Sequence, residues 1–166
     1  MAEKRLSELD AITTTQDTDL VELSQDDGVG GFVSKKIMVG NLIPTSAKTG
    51  AFGITIDGGA AILTTGVKNW VSIPFSCIIT GWSLLADAAG SIVIDVWKNI
   101  QANFPPTVSN SITGSEKPTL SLQTNNSDAN LTTWATSVAA GDVVSFNIES
   151  VSGIRKVTLT IGVIKI

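Results

Sequence analysis

One stretch decides the fold: Lys156-Val157-Thr158-Leu159-Thr160-Ile161-Gly162-Val163 alternates apolar residues with polar or small ones from end to end. Successive side chains of a β-strand point to opposite faces, so the four apolar residues share one face and Thr158 and Thr160 lie on the other. Strict alternation of this kind predicts a half-buried strand in an antiparallel sheet.

The same pattern continues upstream. In the run 142–149, Val144, Phe146 and Ile148 fall on one face. Shorter strand-like runs, separated by turn signals such as Ala88-Ala89-Gly90, lie at 53–57, 70–75, 78–85 and 91–98. Beyond a turn near residues 4–10, no amphipathic helix is evident. Many short strands with closely spaced turns predict an all-β chain, an antiparallel β-sandwich with a jelly-roll-like arrangement.

The composition changes between Pro44 and Gly50, where Pro, Ser, Thr and Gly are concentrated. That change predicts an N-terminal arm at 1–43, a linker at 44–50 and a β-sandwich head at 51–166. The polar stretch from Asn99 to Asn130 is predicted to be a long loop, and loops of that length are usually functional or mobile.

The arm contains two strand-like runs, 19–24 and 32–39, with a glycine-rich turn between them. Two strands alone are only marginally stable in water. The arm must therefore find sheet partners in its own head or in another subunit, which suits an assembly segment.

The order of pieces in the arm resembles the N-terminal attachment segment of bacteriophage tail-fibre and virion appendage proteins. The pieces are Lys4-Arg5-Leu6-Ser7-Glu8-Leu9, Thr13-Thr14-Thr15, Asp17-Thr18-Asp19-Leu20-Val21-Glu22-Leu23 and Ser34-Lys35-Lys36-Ile37-Met38-Val39-Gly40-Asn41-Leu42. The resemblance implies an attachment role for the residues of these strands, namely Leu20, Val21, Leu23, Lys35, Lys36, Ile37 and Val39.

The head also resembles a domain of phage structural proteins. The matching pieces are Ile56-Asp57-Gly58-Gly59, Ile73-Pro74-Phe75, Ile79-Thr80-Gly81-Trp82, Asp95-Val96-Trp97-Lys98, Phe104-Pro105-Pro106-Thr107 and Gly114-Ser115-Glu116-Lys117-Pro118. This second resemblance implies a virion location and assigns no ligand.

The composition argues against several function classes. The net charge is −4 and the longest basic run is Lys35-Lys36, whereas a nucleic-acid binder normally has a surplus of clustered basic residues. No apolar run approaches the about 20 residues of a membrane helix, and the start of the chain lacks the apolar stretch of a signal peptide. We therefore expect no nucleic acid partner, no membrane insertion and assembly in the host cytoplasm.

Catalytic and metal chemistry are not expected either. Histidine and tyrosine are absent, which removes the commonest general base and the commonest metal ligand. The acids between Asp17 and Asp27 do not follow a calcium-loop pattern, and the one cysteine, Cys77, is expected to be a buried thiol. The remaining carboxylates are expected at strand ends, in loops or on outward faces: Asp57, Asp87, Asp95, Asp128, Asp142 and Glu149. We predict no enzyme activity and no cofactor.

The four tryptophans are the candidate contact residues for a sugar ligand. Exposed indole rings stack on sugar rings, whereas buried ones fill a sandwich core. Trp82 is expected in the core. Trp97 shares a strand face with Val93 and Asp95. Trp134 follows the long polar stretch and is the candidate for exposure and ligand contact.

Two hypotheses follow. The first is a structural protein of a bacteriophage particle, a homotrimeric capsid decoration (cement) protein or short head fibre on the virion surface. It would bind the major capsid protein or another virion protein. The alternative is a tail-associated receptor-binding module that recognises host surface glycans. Both share the plan of an arm and a head.

Overall fold

A computed structural model describes residues 20–26, 28–38, 42 and 44–166 of the 166-residue chain. The chain divides into two compact units, Met1–Ala47 and Lys48–Ile166. The first unit contains strands β1 (Leu20–Asp26) and β2 (Phe32–Met38), and a four-residue helix, α1 (Thr45–Lys48), lies at the boundary.

Strands β1 and β2 form a two-stranded antiparallel sheet of their own. The register pairs Leu20 with Met38 and Asp26 with Phe32, and the connection between them contains Gly28 and Gly30. Both predicted strands of the arm and the glycine-rich turn between them are therefore confirmed.

The second unit is one seven-stranded antiparallel sheet. Its strands are β3 (Thr49–Asp57), β4 (Gly66–Ser72), β5 (Cys77–Ile100), β6 (Thr119–Asp128), β7 (Ser137–Val138), β8 (Asp142–Ser152) and β9 (Lys156–Lys165). The order along the main path is β3-β9-β5-β8-β4, and both β6 and β7 pair with β5. The prediction of an all-β, antiparallel chain is confirmed.

The 24-residue strand β5 organises this sheet. Its first part, from Cys77 to Ala86, pairs with β9, and its second part, from Ser91 to Ile100, pairs with β8. Strands β8 and β9 both run antiparallel to β5 but pair with different parts of it. The sheet curls between these two parts of β5.

The turn predicted at Ala88-Ala89-Gly90 is wrong, because β5 continues through these residues. Gly90 allows the backbones to approach closely at the curl: a Cβ atom there would lie 2.6 Å from the Ser152 carbonyl oxygen. The small residues mark a close approach between strands and not a chain reversal.

The inward residues of both parts of the sheet share one hydrophobic core. The predicted faces of β9 and β8 are confirmed: Val157, Leu159, Ile161 and Val163 are buried on β9, as are Val144, Phe146 and Ile148 on β8. On β5, Ile92, Ile94 and Val96 are buried in the same core. Thr158 and Thr160, on the opposite face of β9, are half-buried.

Two predictions about connections need correction. The stretch 99–130 is not one loop, because it contains β6 and two short 3₁₀ turns, Gln101–Asn103 and Val108–Asn110. The strand was missed because it exposes polar residues along most of its length and buries only Leu120. The predicted linker 44–50 contains α1 and the beginning of β3.

Candidate functional site

The segment 101–118 connects β5 to β6. Its later part runs along the edge of β5, where the Ile112 backbone N–H donates to the Val96 carbonyl oxygen and Ser111 bridges to Trp97. Val143 and Trp97 are buried, yet neither belongs to the main core. Ser145 lies opposite Trp97 on one side and Trp70 on the other, so these three residues form one row across β5, β8 and β4. Phe104 reaches across to Trp70 at the far end of that row.

A buried carboxylate, Asp95, fixes this segment to β5. Its Oδ1 accepts hydrogen bonds from the hydroxyls of Ser111 and Thr113, each at 2.7 Å. Its Oδ2 accepts one from the Trp97 indole N–H at 2.8 Å and lies 3.5 Å from Lys117 Nζ. Lys117 also pairs with Glu149 on β8. Asp95 lies on the face of β5 opposite the core residues Ile94 and Val96, as expected, but it is 1 % exposed and is shielded from solvent.

The hydrogen bonds decide the ionisation of Asp95. Burial raises the pKa of this carboxyl, but the donors Thr113, Ser111 and Trp97 and the charge of Lys117 outweigh it, so the pKa lies below its ordinary value. The pKa of Lys117 is raised, chiefly by its hydrogen bond to Glu149. Partial burial lowers this pKa, and the charge of Asp95 raises it further. A buried charge with this many donors is stable as an anion, so the group acts as a clamp between segment 101–118 and the sheet.

Glu116 fixes the other end of the segment. Its carboxylate accepts hydrogen bonds from the Thr133 backbone N–H at 2.6 Å and from the Thr133 hydroxyl at 2.9 Å, and it also accepts one from the Thr132 hydroxyl. These bonds, that of Thr132 foremost, lower the pKa of Glu116. The Trp134 indole N–H donates to the Glu116 carbonyl oxygen at 2.9 Å. The segment is therefore held at 111–113 by Asp95 and at 116 by residues 132–134.

Trp134 is consequently not an exposed ligand contact. It is 7 % exposed and packs in the main core, with its one donor used by Glu116. The prediction of its exposure is wrong because residues 133–135 are bonded to the segment 112–116, which holds the indole in the core. The core position predicted for Trp82 is confirmed.

The exposed tryptophan is Trp70, on the edge strand β4. Its side chain is 46 % exposed, and Phe104 is 50 % exposed. The two rings meet edge to face, with centroids 5.4 Å apart and an angle of 67° between planes. Together they open a surface cleft of about 450 Å³, here called the aromatic cleft, lined by Trp70, Ser72, Gln101, Phe104 and Val143. In the sequence, Trp70 is an aromatic residue in a short alternating run. That pattern does not distinguish an edge strand from a central one, so the exposure of Trp70 could not be predicted.

The remaining carboxylates have structural partners. Asp142 is the first residue of β8, in line with the expected strand-end position; it is buried, pairs with Lys98 at 2.8 Å and accepts a hydrogen bond from the Ala139 backbone N–H. Asp57 pairs with Lys156 at 2.7 Å on the surface. Asp87 accepts the backbone N–H groups of Arg155 and Lys156. Each of these three carboxylates holds one strand or turn to another.

The predicted attachment residues lie where the arm strands were expected. Leu20, Val21 and Leu23 belong to β1, and Lys35, Lys36 and Ile37 belong to β2. The register places Val21 opposite Ile37 and Leu23 opposite Lys35. Val39 lies outside the described residues, as do the acids Asp17, Asp19 and Asp27.

Cys77 is fully buried, as predicted, and burial raises the pKa of its thiol, with a smaller contribution from the charge of Asp142. Within residues 20–26, 28–38, 42 and 44–166, no group of three acidic or cysteine side chains is arranged to hold a metal ion. The helices in that part of the chain are too short to span a membrane.

No protein-family model, curated protein or solved structure matches this chain.

Proposed function

We propose that the chain is a structural protein of a bacteriophage particle, attached through its N-terminal unit and displaying its second unit on the virion surface. The observation that carries the proposal is the sheet formed by β1 and β2. It has two strands and pairs with no other described strand. An isolated two-stranded sheet is marginal in water, so a partner that extends it would stabilise it.

Two sequence resemblances supply the context: that of the arm to phage appendage proteins and that of the head to a domain of phage structural proteins. A chain of 166 residues with one head suits a capsid decoration (cement) protein or a short head fibre. Its partners would be the major capsid protein or another virion protein, and it would assemble in the host cytoplasm. A homotrimer is the expected form, because phage appendages with this plan are usually threefold. A mass measurement on the full chain that gives a monomer at micromolar concentration would contradict it.

For the head we propose the two-layer, jelly-roll-like sandwich. The support is the pairing of β5, whose two parts have different partners, β9 and β8, while their inward residues fill one core. A strand that passes from one layer to the other at a bend is how orthogonally packed sheets form their corners.

Grafting the arm is the direct test of the attachment role. Residues 1–50 fused to an unrelated soluble protein should decorate particles of the phage that encodes the chain, whereas the isolated head should not. The matched control carries Leu20→Asp and Leu23→Asp, which place charges in the apolar run of β1, and it should fail to decorate. Decoration by the isolated head and not by the graft would reverse the roles of the two units.

One observation favours the second candidate function, a tail-associated module that recognises host surface glycans. It is the aromatic cleft, in which the indole of Trp70 is half-exposed, whereas that of Trp134 is buried. A phage lacking the gene separates the two functions. Loss of capsid stability with normal adsorption supports decoration, and loss of adsorption with stable capsids supports receptor binding.

A further inference from the structure

We propose that the aromatic cleft between β4 and the segment 101–118 binds a neutral carbohydrate, with the indole of Trp70 as the stacking platform. The proposal concerns the head alone and does not depend on where the protein sits on a particle. It assigns a binding site of defined chemistry to residues outside the arm.

Trp70 differs from the other tryptophans in its exposure. Trp82, Trp97 and Trp134 are all 9 % exposed or less, whereas Trp70 is 46 % exposed. A large aromatic ring left half in water forgoes much of the free energy that burial would provide. The C–H face of a pyranose ring is apolar and flat enough to cover an indole, which would recover that free energy.

The shape of the cleft suits a ring with one apolar face. Phe104 stands at 67° to Trp70, so the two aromatic side chains form a corner rather than a flat patch. A sugar ring stacked on Trp70 would meet Phe104 at its edge.

The polar groups of the cleft match hydroxyl groups. Gln101 supplies an amide and Ser72 supplies a hydroxyl, so each can both donate and accept a hydrogen bond, as sugar hydroxyls also can. None of the five lining residues is charged. An anionic ligand would lose its hydration without gaining a cation, so the lining favours a neutral sugar over a sialylated glycan or an acidic peptide.

The cleft is also held in place. Gln101 begins a 3₁₀ turn directly after β5, and the Phe104 backbone N–H closes this turn by donating to the Gln101 carbonyl oxygen at 3.2 Å. Further along the same segment, Ser111 and Thr113 are held to β5 by Asp95. A binding surface that is ordered before the ligand arrives loses less conformational entropy on binding.

The experiment uses the full chain on an array of neutral and sialylated glycans, followed by fluorescence titration with the neutral glycan that binds best. Maltohexaose and chitotetraose serve as defined probes in addition. We expect saturable binding of a neutral glycan with a shift in tryptophan emission. Trp70→Ala should weaken binding at least about tenfold and Gln101→Ala about threefold or more, while Leu122→Ala, exposed on β6 and outside the cleft, should leave affinity unchanged.

Circular dichroism checks that each variant is folded. If Trp70→Ala is unfolded, the glycan affinities of Trp70→Phe and Gln101→Ala test the proposal instead. Several results would overturn the proposal. They are the absence of binding to any neutral glycan, a preference for sialylated glycans, or full affinity in both cleft variants. Loss of particle incorporation by Trp70→Ala without any glycan binding would instead assign the cleft to a protein partner. Attachment through the arm can fail independently, because glycan binding is measured on the isolated protein.

Discussion

The indole N–H of Trp97 donates a hydrogen bond of 2.8 Å to the carboxylate of Asp95, two residues earlier on the same face of β5. The segment 101–118 runs beside this pair, with Ser111 bridged to Trp97, and supplies the hydroxyls of Ser111 and Thr113 to the same carboxylate. The pair therefore joins β5 to the segment 101–118, which also contains Phe104 and Gln101.

Replacing Asp95 with Asn should destabilise the head by about 1.5–3 kcal/mol, the usual range for hydrogen bonds to a buried charged group. The amide removes the charge. It also has one acceptor oxygen, so it cannot accept hydrogen bonds from Ser111 and Thr113 on one atom and from Trp97 on the other. Urea unfolding of the two proteins measures the difference. Asp57→Asn, which breaks an exposed ion pair with Lys156, is the matched control and should have a much smaller effect. Equal losses in both variants would show that the Asp95 cluster has no special role.

The same carboxylate should make stability depend on pH in the acid range. Since the pKa of Asp95 is lowered in the folded protein, the unfolded chain binds the proton more readily, and the unfolded pKa is about 3.9. The stabilisation is therefore complete above that value and is lost as pH falls through the lower, folded pKa. The free energy difference between the wild type and Asp95→Asn should stay constant from pH 7 to about 5 and shrink below about 4. A difference that grows on acidification would contradict this sign.

The alternating strands β8 and β9 were predictable because each has one face in the core and one outside it, and that periodicity is written in the residues themselves. The curl of β5 was not, since Ala88, Ala89 and Gly90 have the composition of a turn. Only the partner strands show that they form a close backbone approach.

The candidate site was harder to predict than the strands. Asp95 and Trp97 share a face by simple alternation, which the sequence shows. Burial of that face depends on the segment 101–118, and so does the exposure of Trp70 at the sheet edge. Strand order and loop path determine both, and neither leaves a local pattern in the sequence.

Gly114 is the backbone position in segment 101–118 that should tolerate substitution least. Its φ is +57°, and a Cβ atom would lie 2.7 Å from the Thr133 hydroxyl oxygen and 2.8 Å from the Thr133 carbonyl oxygen. Gly114→Ala should cost about 1–3 kcal/mol from backbone strain, with the clash at Thr133 added to it. Gly141→Ala isolates the strain, because φ there is +89° and no atom lies within 4 Å of the added methyl. Thermal and urea unfolding should rank Gly114→Ala as the more damaging, and a loss no larger than that of Gly141→Ala would mean that the Thr133 contact relaxes freely.

The inner and outer faces of strands β8 and β9 should respond differently to alanine substitution. Phe146 on β8 and Leu159 on β9 are both fully buried, so changing either to Ala should cost about 2–5 kcal/mol through lost burial and a remaining cavity. Thr158→Ala and Thr160→Ala, on the half-buried outer face, should each cost less than about 1 kcal/mol in the isolated protein. Equilibrium unfolding of all four variants tests the contrast. Large losses on both faces would mean that a second subunit covers the outer face.

Removing residues 1–43 should leave a folded, β-rich head. The contacts that define the head lie within Lys48–Ile166, and every strand of the seven-stranded sheet begins at or after Thr49. A unit with its own core and its own sheet retains the burial that stabilises it when a terminal segment is deleted. Far-ultraviolet circular dichroism should show a β-type spectrum for the truncated chain, and its cooperative unfolding should match that of the head in the full chain. A second truncation that also removes Thr49–Asp57 is the matched control. It deletes β3 together with the half-buried contacts of Phe52 and Ile54 on the core, and it should unfold at a lower urea concentration. If the first truncation is already unfolded, the arm contributes to the stability of the head and the two units are not independent.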